Sequence, residues 1–418
     1  MLRQSRLRHF GNFSSSPVLG ALLLLGALHI SGCGDDGDGG SGGAGGQPGT
    51  TSSGTTGSVT SGGPGGTTSA STGGTGGDAS TSTSVGSGGA GTGGEGGSGD
   101  GGAGGEPTPP VDSGLPTPPG ADNVAKPSGA AGGLKVIDWA GFAGAVTYSF
   151  DDVNQTQIQN YDALNALGVP FTFYVWTGKN EANNPVWTKA LMDGHELGNH
   201  TKSHSSNDNG SDTDAATQFI KDKWSITPYT MAAPNGSDAY VSIAQSRFLI
   251  NRGVSNALIS PNDSSNPFKL PTYIPPQNAS TAQMDAEVTS ARTGKKWRTF
   301  CIHGFTGGSD GAYQPIPLNA FLEHVKHVKD FGDVWIGTME TIGAYWLGQK
   351  AVTDADSNQV AGETTYTWRL PANFPPGKYV RVTVTGGTPK QNGAALPWNP
   401  HGYYEVALDA KSLTLSSP

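Results

Sequence analysis

The chain has 418 residues, 65 of them glycine, and 34 of those glycines fall in the segment 34–120, which contains no Phe, Trp or Tyr. Such a segment has no apolar surface with which to offset the entropy of ordering its backbone, so a core is excluded there and expected only in roughly the last 300 residues. The net charge of −9, with no basic block beyond the first ten residues, argues against a nucleic-acid surface that tracks phosphates.

In chain order, Arg3, Arg6 and Arg8 precede an apolar run over 18–30. A basic head followed by a run shorter than the roughly 20 residues of a spanning helix reads as a secretory signal. The run ends in Ile30-Ser31-Gly32-Cys33, which resembles a bacterial lipobox. That resemblance implies lipidation of Cys33, cleavage just before it, and an exported protein tethered to a bacterial membrane. Residues 1–32 are thus a lipoprotein signal peptide, and 33–120 a disordered Gly/Ser/Thr/Pro linker that stiffens over 107–119. Cys301 is the only other cysteine, so a lipidated Cys33 leaves no intramolecular disulfide.

Beyond the linker, β-prone runs occur at 145–150, 171–176, 230–233, 254–259, 297–303 and 334–337. Helical patterns lie between them: one through Tyr161, Leu164 and Leu167 ending at Gly168, then 215–224, 239–250, 282–291 and 318–329. This alternation predicts a parallel α/β domain over 121–350. After Lys350 the segments 364–370, 378–385 and 403–408 alternate apolar and polar residues, which predicts a small antiparallel β domain over 351–418. Trp368, Trp398, Tyr403 and Tyr404 are expected in its core; docking of sugar rings on their faces is the other reading.

Three segments carry the chemistry. Ser149-Phe150-Asp151-Asp152 ends the first strand, and adjacent carboxylates there point in different directions, so one can bind a metal while the other acts as a base. His200-Thr201-Lys202-Ser203-His204 spaces two histidines so that one helical turn would bring both to a single ion. A zinc-peptidase reading of His195-Glu196 fails, because Asn199 stands where HExxH requires histidine. Thr299-Phe300-Cys301-Ile302-His303 is an apolar strand that ends in a histidine.

Together these segments resemble the polysaccharide deacetylase (NodB-homology) family, also called carbohydrate esterase family four. Ser149-Phe150-Asp151-Asp152-Val153 is similar to its T-F-D-D-G motif, His200-Thr201-x-x-His204 to H-S/T-x-x-H, and 300–303 to an apolar strand ending in Leu-x-His. The resemblance covers roughly 136–350 and implies a distorted (β/α) barrel with the site at the C-terminal ends of its strands. It implies Asp151 as general base, Asp152, His200 and His204 as ligands of a divalent metal, zinc first, and His303 as general acid. The substrate would be an acetylated polysaccharide, on nitrogen or on oxygen. The family's R-x-P-[FYW]-G motif falls on Ala232-Ala233-Pro234-Asn235-Gly236, so its arginine is missing and Asp151 is expected to lack that partner. Pro234 and Asn235 would still shape an oxyanion site, and Asp263 stands near the place of the family's Asp-Trp motif.

Two rivals remain. Gly307-Gly308-Ser309-Asp310-Gly311 fits G-x-S-x-G, but a nucleophile elbow needs a strand directly before it and a helix directly after. A non-catalytic polysaccharide-binding lipoprotein retaining the fold is the alternative that the missing arginine and the degraded Asp-Trp motif motivate.

Overall fold

The computed structural model describes residues 112–417. The signal peptide, Cys33 and most of the linker therefore lie outside the described residues. Strand β1 (Gly132–Val136) is followed by β2 (Gly144–Asp151), β3 (Thr172–Val175), β4 (Glu196–Asn199), β5 (Thr230–Ala232), β6 (Ile250–Arg252), β7 (Trp297–Ile302) and β8 (Val334–Ile336). The helices are α1 (Gln155–Gln159), α2 (Tyr161–Asn165), α3 (Val186–Met192), α4 (Ser211–Trp224), α5 (Tyr240–Gln245), α6 (Thr281–Gly294), α7 (Leu318–Asp330) and α8 (Met339–Thr353). Strands β6-β5-β4-β3-β2-β7 form one parallel sheet, and β8 adds to β2 beside β3. Leu270 bridges β6 and Tyr273 bridges β7, so the segment between them closes the sheet into a distorted (β/α) barrel.

Alternation along β2 sorts its side chains. Tyr148 and Phe150 pack outward with Phe171, Phe300 and Phe321 of the helix-covered layer. Thr147, Ser149 and Asp151 take the other face, where small and polar groups fit a barrel interior. Trp297 and Trp346 fill the lower end of that interior against α8. Helix α6 starts where the sequence says it should, with Ser280 and Gln283 forming a reciprocal capping box.

One strand differs from the sequence reading in a way that matters below. The helical pattern expected over 239–250 stops at Gln245, and the strand expected over 254–259 is instead β6, Ile250–Arg252. The C-terminal strands are β9 (Asp356–Val360), β10 (Glu363–Thr367), β11 (Tyr379–Gly386), β12 (Thr388–Gln391), β13 (Ala394–Ala395), β14 (Tyr404–Ala407) and β15 (Ser412–Ser416). They form two antiparallel sheets, and β1 pairs with β11, so a strand from before the barrel completes one of them. Trp368, Tyr403 and Tyr404 are buried and Trp398 packs edge-on against Tyr404, so these aromatics form core. Arg381 in β11 is 1% exposed and donates to the carbonyls of Leu115, Pro116 and Ala140 as well as to Glu405. The end of the Pro-rich segment is thereby held against this sheet.

At the lower barrel end, Glu196 accepts from Thr172 Oγ1, Thr230 Oγ1 and the Glu340 backbone N–H. Burial, then the nearby Glu340 charge, pushes its carboxyl up to about 7. Burial lowers its neighbour His195 to about 4. A raised acid binds protons more tightly folded than unfolded, so Glu196 makes the fold less stable as pH rises from 4.5 to about 7. The lowered histidine does the reverse, adding stability as pH rises from about 4 to 6.5. Their slopes oppose one another. Glu196→Gln is expected to leave the His195 slope uncovered, so that melting temperature rises more steeply between pH 4.5 and 6.5 than in the wild type; equal slopes in the two proteins would refute this.

Candidate active site

The upper rim of the barrel gathers the three segments. Asp151 closes β2, and the chain then turns through two left-handed residues, Asp152 (φ 72°) and Val153 (φ 50°). Val153 stands where the resembling motif has glycine, and a β-branched residue is strained at that φ. Its side chain is fully buried, and that packing holds the turn. The turn separates the two carboxylates, sending Asp151 inward and Asp152 toward the loop after β4.

His200 and His204 meet Asp152, but not on a helical turn as the spacing suggests. They sit in the loop after β4, with Thr201 at φ 60° and His204 at φ 56°. Polar side chains hold this loop: Asn199 Oδ1 accepts from Thr201 N at 2.8 Å, Thr201 Oγ1 from His204 N at 3.1 Å, and Asp212 Oδ2 from Ser203 N at 2.9 Å. Asp152 Oδ1 lies 3.3 Å from His200 Nε2 and 3.4 Å from His204 Nε2. Asp152 Oδ1 and His200 Nε2 are buried with no hydrogen-bond partner among the described residues. His200 Nδ1 is 2.9 Å from the Ala232 carbonyl, which can only accept, so Nδ1 carries a proton and, in the neutral ring, Nε2 holds the lone pair. One carboxylate oxygen and two imidazole nitrogens converge within 4.8 Å, those of Asp152 and His200 without a partner, and this set fits a divalent cation. Burial opposes ionisation of Asp152, but His200, then His303 and His204, outweigh it and hold the carboxyl well below the usual range.

Asp151 does have an arginine. Arg252, at the end of β6, donates from Nη2 to Asp151 Oδ2, and both residues are buried. The guanidinium lies over the Tyr174 ring, 5.6 Å from its centroid, and Gly198 on β4 leaves the room that ring occupies. The partner missing from β5 thus comes from the next strand. Sequence reading missed it because a helix was expected over 239–250 and the next strand over 254–259; the apolar run Phe248-Leu249-Ile250 just before Asn251 and Arg252 was the available signal. Burial opposes the Asp151 charge, yet Arg252, then His200 and His303, keep the carboxyl below its ordinary range. Cys301 Sγ lies 3.4 Å from the same Oδ2, whereas Oδ1 is buried without a partner.

His303 follows β7, with Nε2 3.8 Å from Asp151 Oδ2. Burial lowers its pKa despite the two aspartates. Gln157 ties the two strand ends together: its amide donates to the carbonyls of Asp151 (2.5 Å) and His303 (2.8 Å). Trp176 stacks on His204, ring centroids 4.6 Å apart, and donates to the Lys202 carbonyl. Pro234 is buried beside the His200 acceptor, and Asn235 (φ 54°) donates to Ser206 Oγ in the histidine loop, so both border the site.

Asp263 does not. It accepts from the backbone N–H groups of Ser260 and Ser265 in its own turn, and Lys350 of α8 donates to its carbonyl. This turn follows Ile259, which pairs with Trp297 at the start of β7, whereas His303 follows the end of that strand. The two ends are separated by the strand's length, so Asp263 is a turn residue at the lower barrel end. Ser309 lies exposed in the loop after β7 with no strand–helix elbow around it.

Residues 143–241 match the family model described as polysaccharide deacetylase. The chain carries a polysaccharide deacetylase domain. No curated protein matches the chain. Solved structures similar to it include a putative polysaccharide deacetylase from Mycobacterium smegmatis, 18% identical, covering 54% of this chain and 96% of that one with a TM-score of 0.41. A peptidoglycan deacetylase from Bacillus subtilis is 19% identical over 48% of this chain and 89% of its own, with a TM-score of 0.34. A family 4 acetyl xylan esterase from Clostridium thermocellum, in complex with a cobalt ion, is also 19% identical, over 47% and 89%, with a TM-score of 0.34. The deacetylase-domain match ends at Val241, so His200 and His204 fall inside it and Arg252 and His303 outside.

Two outcomes are expected. Zinc at a thousandfold excess over its Kd should stabilise the wild-type fold by about 4 kcal/mol. Asp152→Ala and His204→Ala should abolish that response, and a melting shift that persists in either variant removes that residue from the ligand set. Arg252→Ala leaves a carboxylate buried without its cation and should cost about 3–5 kcal/mol in denaturant unfolding. A loss below 1 kcal/mol would show the pair to be dispensable.

Proposed function

We propose that this protein hydrolyses acetyl groups from a polysaccharide, with Asp151 as base, His303 as acid and a divalent metal, zinc first, held by Asp152, His200 and His204. The observation that carries this reading is the division of labour in Asp151. Its Oδ2 is committed to Arg252, and its Oδ1 is unpartnered beside the orphaned donor atoms. A carboxylate oriented by one oxygen and free at the other is built to take a proton.

A divalent ion bound there would acidify a water molecule and polarise the acetyl carbonyl. Asp151 Oδ1 receives the proton of the attacking water, and Arg252 keeps the carboxylate ionised and fixed in direction until then. His303, whose Nε2 lies 3.8 Å from Asp151 Oδ2, gives a proton to the departing nitrogen or oxygen of the sugar. The Asn235 backbone N–H would donate to the oxyanion, since Pro234 has no N–H of its own. Gln157 holds the carbonyls of the base and acid residues to one amide, so the two side chains keep their separation as charge moves. The alternative, a binding protein without catalysis, drew on the missing arginine and on the degraded Asp-Trp motif; Arg252 answers the first of these. The reading also keeps the domain outside the cytoplasm, tethered through Cys33; the basic head, apolar run and lipobox-like ending support this.

Acetate release by metal-loaded protein should be measured on N-acetylated and O-acetylated polymers. Asp151→Asn is expected to lower the rate by about 10²–10⁴ while zinc binding persists. Undiminished release by this variant, or no release by the wild type on any acetylated polymer, would sink the proposal.

A further inference from the structure

The two candidate histidine ligands are held in unequal ways. His200 is buried, and its Nδ1 is fixed against the Ala232 carbonyl, the usual device that sets the orientation of a ligating imidazole. His204 has no such bond. Among the described residues its one hydrogen bond is donated by its own backbone N–H to Thr201 Oγ1. Its side chain is 21% exposed against 2% for His200, and its backbone is left-handed (φ 56°). A ring in that position can turn about its side-chain torsions, and a turn carries Nε2 away from Asp152 Oδ1.

The chain after β3 supplies what the loop lacks. Residues 175–178 run alongside the histidine loop. His200 N donates to the Val175 carbonyl at 3.1 Å, Thr177 N to the Thr201 carbonyl at 3.0 Å, and Trp176 Nε1 to the Lys202 carbonyl at 2.8 Å. Gly178 is required by this approach, because a Cβ there would lie 2.1 Å from the Lys202 carbonyl oxygen. The alignment brings the Trp176 indole onto the His204 ring, centroids 4.6 Å apart and planes 29° from parallel, an offset stack. The His200 ring stands edge-on to the same imidazole at 4.8 Å. The indole is itself restrained: Lys179 Nζ lies 5.1 Å from its centroid and donates to Asn154 Oδ1 at 2.5 Å. Asn154 Nδ2 in turn donates to the His303 carbonyl at 2.8 Å.

We propose that Trp176 is a positioning residue of the metal centre: its indole face, in place of a hydrogen bond to Nδ1, holds the His204 ring with Nε2 toward Asp152. The inference rests on Asp152, His200 and His204 as the ligand set and adds to it a residue that acts through one of them. The test measures the zinc Kd of the full chain by calorimetry against a competing chelator, which needs no turnover. Trp176→Ala should raise that Kd about tenfold, the lower end of what losing an outer partner of a ligating histidine costs. Trp176→Phe keeps a stacking face and gives up only the indole N–H, so its Kd should stay close to that of the wild type. Trp176→Leu restores apolar bulk without a planar face; it should match the alanine variant, and it serves if that variant fails to fold. A lowered melting temperature in the zinc-free variants with an unchanged Kd would mark a structural role only and overturn the proposal. So would a Kd in Trp176→Phe raised as far as in Trp176→Ala, which would assign the effect to the bond with Lys202. A wild type that takes up no zinc removes the ligand set itself, and this role with it.

Discussion

The buried pair of Arg252 and Asp151 is the constraint around which the upper barrel is arranged. A guanidinium and a carboxylate removed from water cost several kcal/mol each unless each finds the other with good geometry. The surroundings provide it. Gly198 leaves room for the Tyr174 ring, the ring carries the guanidinium, and the guanidinium fixes one oxygen of Asp151. Strands β2, β3, β4 and β6 contribute to that sequence of contacts, and shifting any of them would strand a charge.

A second level of organisation separates rigid from adaptable parts. Asp151 and His303, the proposed base and acid, stand at the ends of β2 and β7, adjacent strands in register, and Gln157 holds both carbonyls. The candidate metal ligands lie instead on a left-handed turn and a loop, where the chain can bring three side chains to one point without helical geometry. Such backbone costs of order 1–3 kcal/mol per strained residue. Buried Val153 and the backbone N–H hydrogen bonds accepted by the Asn199, Thr201 and Asp212 side chains offset it. The local charge has the same logic: Arg252 balances Asp151, which leaves Asp152 and two imidazole lone pairs facing one small volume.

The lower end of the barrel serves the fold. Helix α8 presents Tyr345 and Trp346 to the barrel floor and is also buried against the C-terminal sheets, where Gly348 allows Leu408 to approach closely. Its first turn donates to Glu196 from the Glu340 N–H. Strand β1 completes a C-terminal sheet, so chain that precedes the barrel belongs to the layer that covers it.

Much of this was legible in the sequence, for identifiable reasons. Alternating β-prone and amphipathic runs specify a parallel α/β domain, because periods of 2 and 3.6 are properties of local chain geometry; its closure into a barrel was implied only by the family resemblance. Asp151-Asp152, His200-x-x-x-His204 and His303 are local patterns too, and each stands at a strand end. Local pattern failed where the deciding contact was distant. Three residues of β6 are too short to show a period, so the strand was read elsewhere and Arg252 passed unnoticed, 101 residues from its partner. Asp263 failed for the opposite reason: its neighbourhood along the chain looked right, but the strand direction puts it at the wrong end. The sequence by itself determined the fold class and which residues could bind a metal or move a proton. Only the tertiary structure decided which of them meet and which arginine supports the base, because a buried charge selects its partner through space.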